Sequence, residues 1–335
     1  MNLSSAESSV RSAIDRENAR TGLELVAGCS SLRTTPTMRA GIVDSISVDL
    51  EDYFQVEAFA SRIPRSRWPL YPARVRQNTE RTLALLCENK CRATFFILGW
   101  VAERDPGLVR TVAAEGHEVA CHSHLHRPVY SISPNEFRSD LRRSKAAIED
   151  ACGTKVVGFR APTFSITEKT LWALEILAEE GFEYDSSIFP IRHDLYGIPN
   201  APRQVHQKRF ASGQTLWEIP PATVRLGKMN LPFGGGGYLR LLPMFFTRWA
   251  IKRTHKYERQ PVVVYFHPWE LDPDQPRLSG SWRARFRHYS GLAKTADRLR
   301  EIISQGSFQP LIELVQYLQT LSPMVPAITP AGDAC

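Results

Sequence analysis

CRATFFILGWVAERDPGLVRTVAAEGHEVACHSHLH, residues 91–126, is the stretch whose reading decides the fold. CRATFFILG (91–99) and HEVACHS (117–123) are short apolar runs of strand length. Between them PGLVRTVAAEG (106–116) spaces its apolar residues as a helix does and closes on Gly116. Strand, helix and strand in one short span make a unit that joins parallel strands through a crossover.

The alternation extends in both directions. GIVDSISVDL (41–50) reads as a strand and VRQNTERTLALLCENK (75–90) as a helix. SPNEFRSDLRRSKAAIEDACG (133–153) is a helix with Ser133 as N-cap and Pro134 in its first turn. KVVGFRAP (155–162) is a strand, TEKTLWALEILAEEG (167–181) a helix capped by Thr167, and FEYDSSIF (182–189) a strand. TLWEIPPATVRL (215–226) and PVVVYFHPWE (261–270) are strand-like, with a glycine-rich crossover and a helix between them. Helical segments at 281–306 and 308–321 close the chain. So many units favour a barrel over an open sheet. The expectation is an α/β fold, a distorted (β/α) barrel of about seven parallel strands. Residues 1–38, polar and Ser/Thr-rich, are expected to be a mobile extension, 39–322 one domain including the C-terminal helices, and 323–335 a mobile tail.

Composition narrows the function. The 335 residues are 43% hydrophobic and 23% charged, ordinary for a globular protein. Lys and Arg exceed Asp and Glu by 42 − 35 = 7, which favours anions such as phosphate or a membrane surface. The cations are scattered, however, so no nucleic-acid partner is expected. Six cysteines without a CxxC pair give no disulfide framework and point to a reducing compartment. No apolar run approaches the roughly 18 residues of a membrane span, and no signal-peptide core is seen, so a cytoplasmic protein is expected.

Four of the nine histidines fall within residues 116–130, and His122 and His126 are four apart. On one helical turn such a pair can hold one divalent ion, given a third ligand from elsewhere. Asp49, His122, Arg160, Asp185 and His267 each stand at or just past the C-terminal end of a predicted strand, the rim on which barrels build active sites. His117 reads as structural, His124 as pointing away from the ion, and Cys121 as facing the opposite side of its strand from His122.

Together these residues resemble the NodB-type polysaccharide deacetylases, carbohydrate esterase family four, over about residues 42–270. SVDLED (47–52) stands where that family has Thr-Phe-Asp-Asp. HSHLH (122–126) matches its His-Ser/Thr-x-x-His and RAPTF (160–164) its Arg-x-Pro-x-Phe. YDSS (184–187) falls at its fourth motif, and YFHPWE (265–270) carries the late histidine. VDLEDYFQV (48–56), FILGWVAER (96–104), GGGGYLRLLP (234–243) and FHPWELDPDQPR (266–277) resemble the subgroup linked to exosortase-type exopolysaccharide loci.

The resemblance implies a metal-dependent N-deacetylase of an N-acetylated sugar polymer or oligosaccharide, in exopolysaccharide biosynthesis. It further implies peripheral association with a membrane-bound assembly. Asp49 would be the general base and His267 the general acid, with Arg160 holding Asp49 and Asp185 doing the same for His267. The ion, zinc by expectation with cobalt, nickel or manganese as alternatives, would be held by His122, His126 and a carboxylate. That carboxylate is Glu51 if the strand runs straight on, and Asp52 if the chain turns helically after Leu50; family habit favours Asp52. Trp269 and Phe164 are assigned to the sugar cleft, Trp100, Trp172 and Trp217 to the core. PFGGGGY (232–238) lacks a P-loop Lys-Ser/Thr and reads as a flexible cleft loop. The alternatives are a deacylase of a small N-acyl compound and a carbohydrate-binding homologue without turnover.

Overall fold

Strand β1, Asp44–Leu50, is buried at all seven positions because strands lie on both sides of it and side chains fill both its faces. The computed structural model describes residues 42–320, so the expected extension and tail lie outside the described residues. The other strands are β2 (Thr94–Ile97), β3 (Glu118–Cys121), β4 (Gly158–Phe159), β5 (Tyr184–Asp185), β6 (His206–Arg209) and β7 (Thr215–Glu218). They are followed by β8 (Thr223–Leu226), β9 (Met229–Pro232), β10 (Val263–Phe266) and β11 (Phe308–Gln309).

The main sheet runs β10-β1-β2-β3-β4-β5-β7-β6, with β11 added to β1. Every neighbour from β10 to β7 is parallel, seven strands against the about seven expected, and β11 makes an eighth beside β1; β6 adds to β7 antiparallel. The two ends of the order, β10 and β6, do not pair, so the sheet is a curled half-barrel rather than a closed one. The expected strand 215–226 is two strands. Pro220 and Pro221 interrupt it, since proline brings no N–H to a ladder. Beyond them β8 leaves the main sheet and pairs with β9 in a separate hairpin.

Alternation along the strands sorts the side chains. Ile46, Val48 and Leu50 of β1 join Phe95 and Ile97 of β2 in the layer beneath the helices. Phe96, Ala120, Tyr184 and Val263 face the inside of the curl, where Leu311, Leu314 and Val315 of the helix Leu311–Thr320 pack on them. That helix is tied to the starts of β2 and β3: Leu311 N–H donates to Thr94 Oγ1 and Ile312 N–H to Glu118 Oε2. One end of the half-barrel is thereby plugged, and the C-terminal ends of the strands stay open. The helix Pro134–Cys152 begins with the expected Ser133 cap, closed reciprocally by Glu136. Thr167 opens a single 3-10 turn, Glu168–Thr170, ahead of the helix Trp172–Glu179. No helix among the described residues is long and apolar enough to cross a membrane.

Candidate active site

The polar inner face of β1 places Ser47 and Asp49 inside the curl. Arg160, just past β4, is fully buried there and lies over the Phe96 ring at 4.2 Å. A buried guanidinium needs every donor matched. Its Nη1 donates to Asp49 Oδ1 (2.7 Å) and Ser47 Oγ (2.8 Å), its Nη2 to Ser186 Oγ (2.8 Å) and its Nε to the Ser186 carbonyl (3.2 Å). Asp49 is thus pinned through Oδ1, and its Oδ2 faces His267 Nε2 at 3.9 Å.

His122 and His126 do not lie on a helical turn. The segment after β3 is a loop, with Ser123 (φ 63°) and His126 (φ 49°) in the left-handed region. Such backbone is costly for non-glycine residues and persists where neighbours hold it. Here Asp140 Oδ2 accepts the His124 N–H, Ser144 Oγ donates to the Ser123 carbonyl, and Arg65 donates to the carbonyls of Leu125 and His126. The loop brings the two rings to 5.4 Å. His122 Nδ1 is bonded to the Arg160 carbonyl at 2.7 Å, and burial pushes its pKa down to about 4, so it stays a neutral ligand-type imidazole. His124 turns away toward Glu103, 3.7 Å from its Nε2, and His117 Nδ1 accepts the Ala93 N–H.

The carboxylate beside the histidines is Glu51, not Asp52. Asp49 and Glu51 share a face while Leu50 points into the core, and this alternation carries through the end of the strand. Asp52 points to the start of the helix Val75–Glu88, where it accepts the N–H groups of Arg74 and Val75 as well as that of Tyr53. Ligand-type atoms of Glu51, His122 and His126 all lie within 4.8 Å of one another. Glu51 Oε2 sits 2.8 Å from His126 Nε2, yet this buried oxygen has no aligned hydrogen bond. A carboxylate and two imidazoles so arranged fit a divalent ion of the zinc type. Burial alone would raise Glu51, but the charge of His126, with His267 and His122, holds it at about 2.

His267 differs from expectation in its partner. Its Nδ1 is bonded to Glu270 Oε1 at 2.7 Å, and Glu270 Oε2 accepts from Arg240 Nε at 2.6 Å. Burial opposes the imidazolium, but Glu270, then Glu51 and Asp49, outweigh it and raise His267 to about 9. Asp185 does not reach His267. It accepts from Ser187, and burial raises both it and the adjoining Glu218, behind the serine that holds Arg160. The His-x-x-Glu spacing at 267 and 270 carried a signal for Glu270, because a 3-10 turn, Pro268–Leu271, returns position i+3 to position i. Arg240 lies within GGGGYLRLLP, but nothing in the sequence marked it as the partner of Glu270.

Asp49, Glu51, His122, His126 and His267 open into one cleft of about 550 Å³. Phe164, Tyr196 and Tyr265 form an aromatic wall. Trp269 also lines the cleft, but its ring is stacked between His267 (5.0 Å) and His288 (4.2 Å), and its Nε1 donates to Glu51 Oε1. It holds Glu51 rather than offering a free face to a sugar. PFGGGGY is no flexible loop: the Tyr265 N–H donates to the Gly234 carbonyl, and a Cβ on Gly235 would stand 2.1 Å from the Tyr265 carbonyl oxygen.

Two family models cover most of the described chain, the polysaccharide deacetylase model at residues 69–183 and a domain of unknown function, DUF3473, at 186–316. A peptidoglycan-N-acetylglucosamine deacetylase of Bacillus cereus is 31% identical over 98 residues, 29% of this chain and 36% of the relative. A chitooligosaccharide deacetylase of Bradyrhizobium is 30% identical over 100 residues, 30% of this chain and 43% of the relative. The chain thus spans less than half the length of these relatives. In fold it is similar to a candidate polysaccharide deacetylase of Mycobacterium smegmatis, with a TM-score of 0.55 and 19% identity over 90% of this chain and 99% of that one. Residues 69–183 are thus similar to the polysaccharide deacetylases, and the DUF3473 segment completes the half-barrel and its cleft.

Proposed function

We propose that the protein is a metal-dependent hydrolase that removes N-acetyl groups from an N-acetylated glycan. The observation that carries this reading is one cleft joining the ligand set Glu51, His122 and His126 to Asp49 on one side and His267, bonded to Glu270, on the other. Amide hydrolysis adds water to the acetyl carbon and breaks the C–N bond, so one proton must leave the water and one must reach the nitrogen. Asp49 Oδ2, left open while Arg160 occupies Oδ1, takes the first. His267 supplies the second from Nε2, because Glu270 occupies Nδ1 and keeps the ring charged. Glu51, His122 and His126 would hold a divalent ion, which would supply Lewis acidity to the carbonyl and a lowered pKa to water. Two imidazoles with a carboxylate favour zinc. Phe164 and its aromatic neighbours flank the sugar, and Trp269 positions Glu51.

We assign this activity to exopolysaccharide biosynthesis, in the cytoplasm and in peripheral contact with a membrane-bound assembly. The likeness of residues 234–243 and 266–277 to that subgroup supports the assignment, as do the buried free thiols Cys91 and Cys121. The test is acetate release from N-acetylated oligosaccharides and polymers by zinc-loaded protein, with and without chelator. Chelator-sensitive release from glycans is expected. Release only from small N-acyl amides, or glycan binding without release, would replace this reading with one of its two alternatives.

A further inference from the structure

Two helices of the 186–316 segment carry large aromatic side chains on the outside, the reverse of ordinary helix packing. In the helix Trp282–Tyr289, His288 is buried while Trp282 and Phe286, one turn apart, are 73% and 55% exposed. In the helix Met244–Arg253, Thr247, Ala250 and Ile251 face inward while Phe245 and Trp249, again one turn apart, are 69% and 39% exposed.

Neither helix carries an acidic residue, although Arg248, between Phe245 and Trp249, is paired with Glu301. Exposed Arg277, Arg283 and Arg285 flank the first pair, and exposed Lys252 and Lys256 follow the second. None of these five forms an ion pair among the described residues. Three of them lie over rings: Arg283 5.5 Å from the Trp282 centroid, Arg277 4.3 Å from that of Tyr289 and Lys256 5.2 Å from that of Tyr257. The first helix contributes Ala284, Arg287 and His288 to the cleft, and the second begins three residues after Leu241, which also lines it. Arg240 donates to the carbonyls of Arg287, His288 and Ser290 at the end of one helix, and the adjacent Leu241, which precedes the other, lines the cleft mouth with Arg287.

We propose that this rim docks the protein on a bilayer containing anionic phospholipid, with the cleft opening beside the lipid surface. Rings with Lys and Arg around them suit the boundary between headgroups and acyl chains, where the ring enters and the cation meets phosphate. A two-fold contact between copies through this rim would set its cations against themselves. The inference stands independently of the deacetylase reading, since it concerns residues outside the ligand set.

Co-sedimentation of the full chain with vesicles of phosphatidylcholine, alone or mixed with phosphatidylglycerol, tests it without substrate. Binding to the mixed vesicles only, weakened by salt, is expected. Each cation removed should weaken it by about fivefold, and a reversal by more. Arg283→Glu with Arg285→Glu, Trp282→Ser with Phe286→Ser, and separately Phe245→Ser with Trp249→Ser should each lower binding at least ~10-fold, with an unchanged circular dichroism spectrum. Equal binding to both vesicle types, no binding to either, or full binding by folded variants of both helices would overturn the proposal. So would a dimer that dissociates on Trp282→Ser, or capture by an acidic polysaccharide but not by vesicles.

Discussion

Replacing Glu51 by Gln and Asp52 by Asn, one at a time, separates two neighbouring carboxylates that sequence alone leaves in competition. Each change removes a charge and keeps the shape. Glu51 is held at about 2 against its usual 4.5 by the imidazoles around it. A dication at the same place loses one of its three ligands and the negative charge among them, so Glu51→Gln should weaken zinc binding by about a hundredfold or more. The Trp269 bond to Oε1 survives, because the amide oxygen still accepts it.

Asp52→Asn should leave zinc affinity near the parent value, because both its oxygens serve backbone N–H groups of Tyr53, Arg74 and Val75. Its effects on melting oppose each other. Burial raises Asp52 to about 6, so losing the charge relieves a cost, while the new NH₂ group must face a backbone donor. Affinity is therefore the discriminating quantity. Chelator-stripped protein titrated with zinc against a chromophoric competitor gives it directly, with circular dichroism to confirm the fold. Loss of zinc in Asp52→Asn with normal binding in Glu51→Gln would refute the assignment.

Three further outcomes are expected. With His267 raised to about 9, the general acid is present below that pH and lost above it, so kcat should fall on the alkaline side near 9; Glu270→Gln should move that limb toward 6.5 and lower kcat. A limb unmoved by this change in a pH–rate profile would remove Glu270 from the role. Burial holds His117 at about 4 against its usual 6.5, so the folded state prefers the neutral ring and stability is lost as pH falls from 6.5 toward 4. The loss is roughly 3 kcal/mol, and His117→Gln should flatten that part of a melting-temperature profile. Gly235→Ala should cost several kcal/mol, on the order of a severe overpacking, because its Cβ would meet the Tyr265 carbonyl at 2.1 Å; an unchanged denaturation midpoint would contradict the packing described.

The parallel half-barrel and most of its reactive rim were legible in the sequence, because both follow from local periodicity. A strand's apolar run and a helix's spacing are written within a dozen residues, and Asp49, His122, Arg160 and His267 follow from being at strand ends. The choice of Glu51 over Asp52 was half-legible, since strand alternation implied it but only the helix at Val75–Glu88, with two N–H groups to satisfy, claimed Asp52. The loop that replaces the helical turn at His122–His126 depends on Arg65, Asp140 and Ser144, contacts 16 to 61 residues away in sequence. The partner of His267 was misassigned for the opposite reason: Glu270 is three residues away, but Arg240, 30 residues off, is the buried cation that keeps it ionised. Periodicity determines which face a side chain takes. Which of two adjacent acids meets a histidine depends on hydrogen-bond demands from distant segments, and those are set only when the chain is packed.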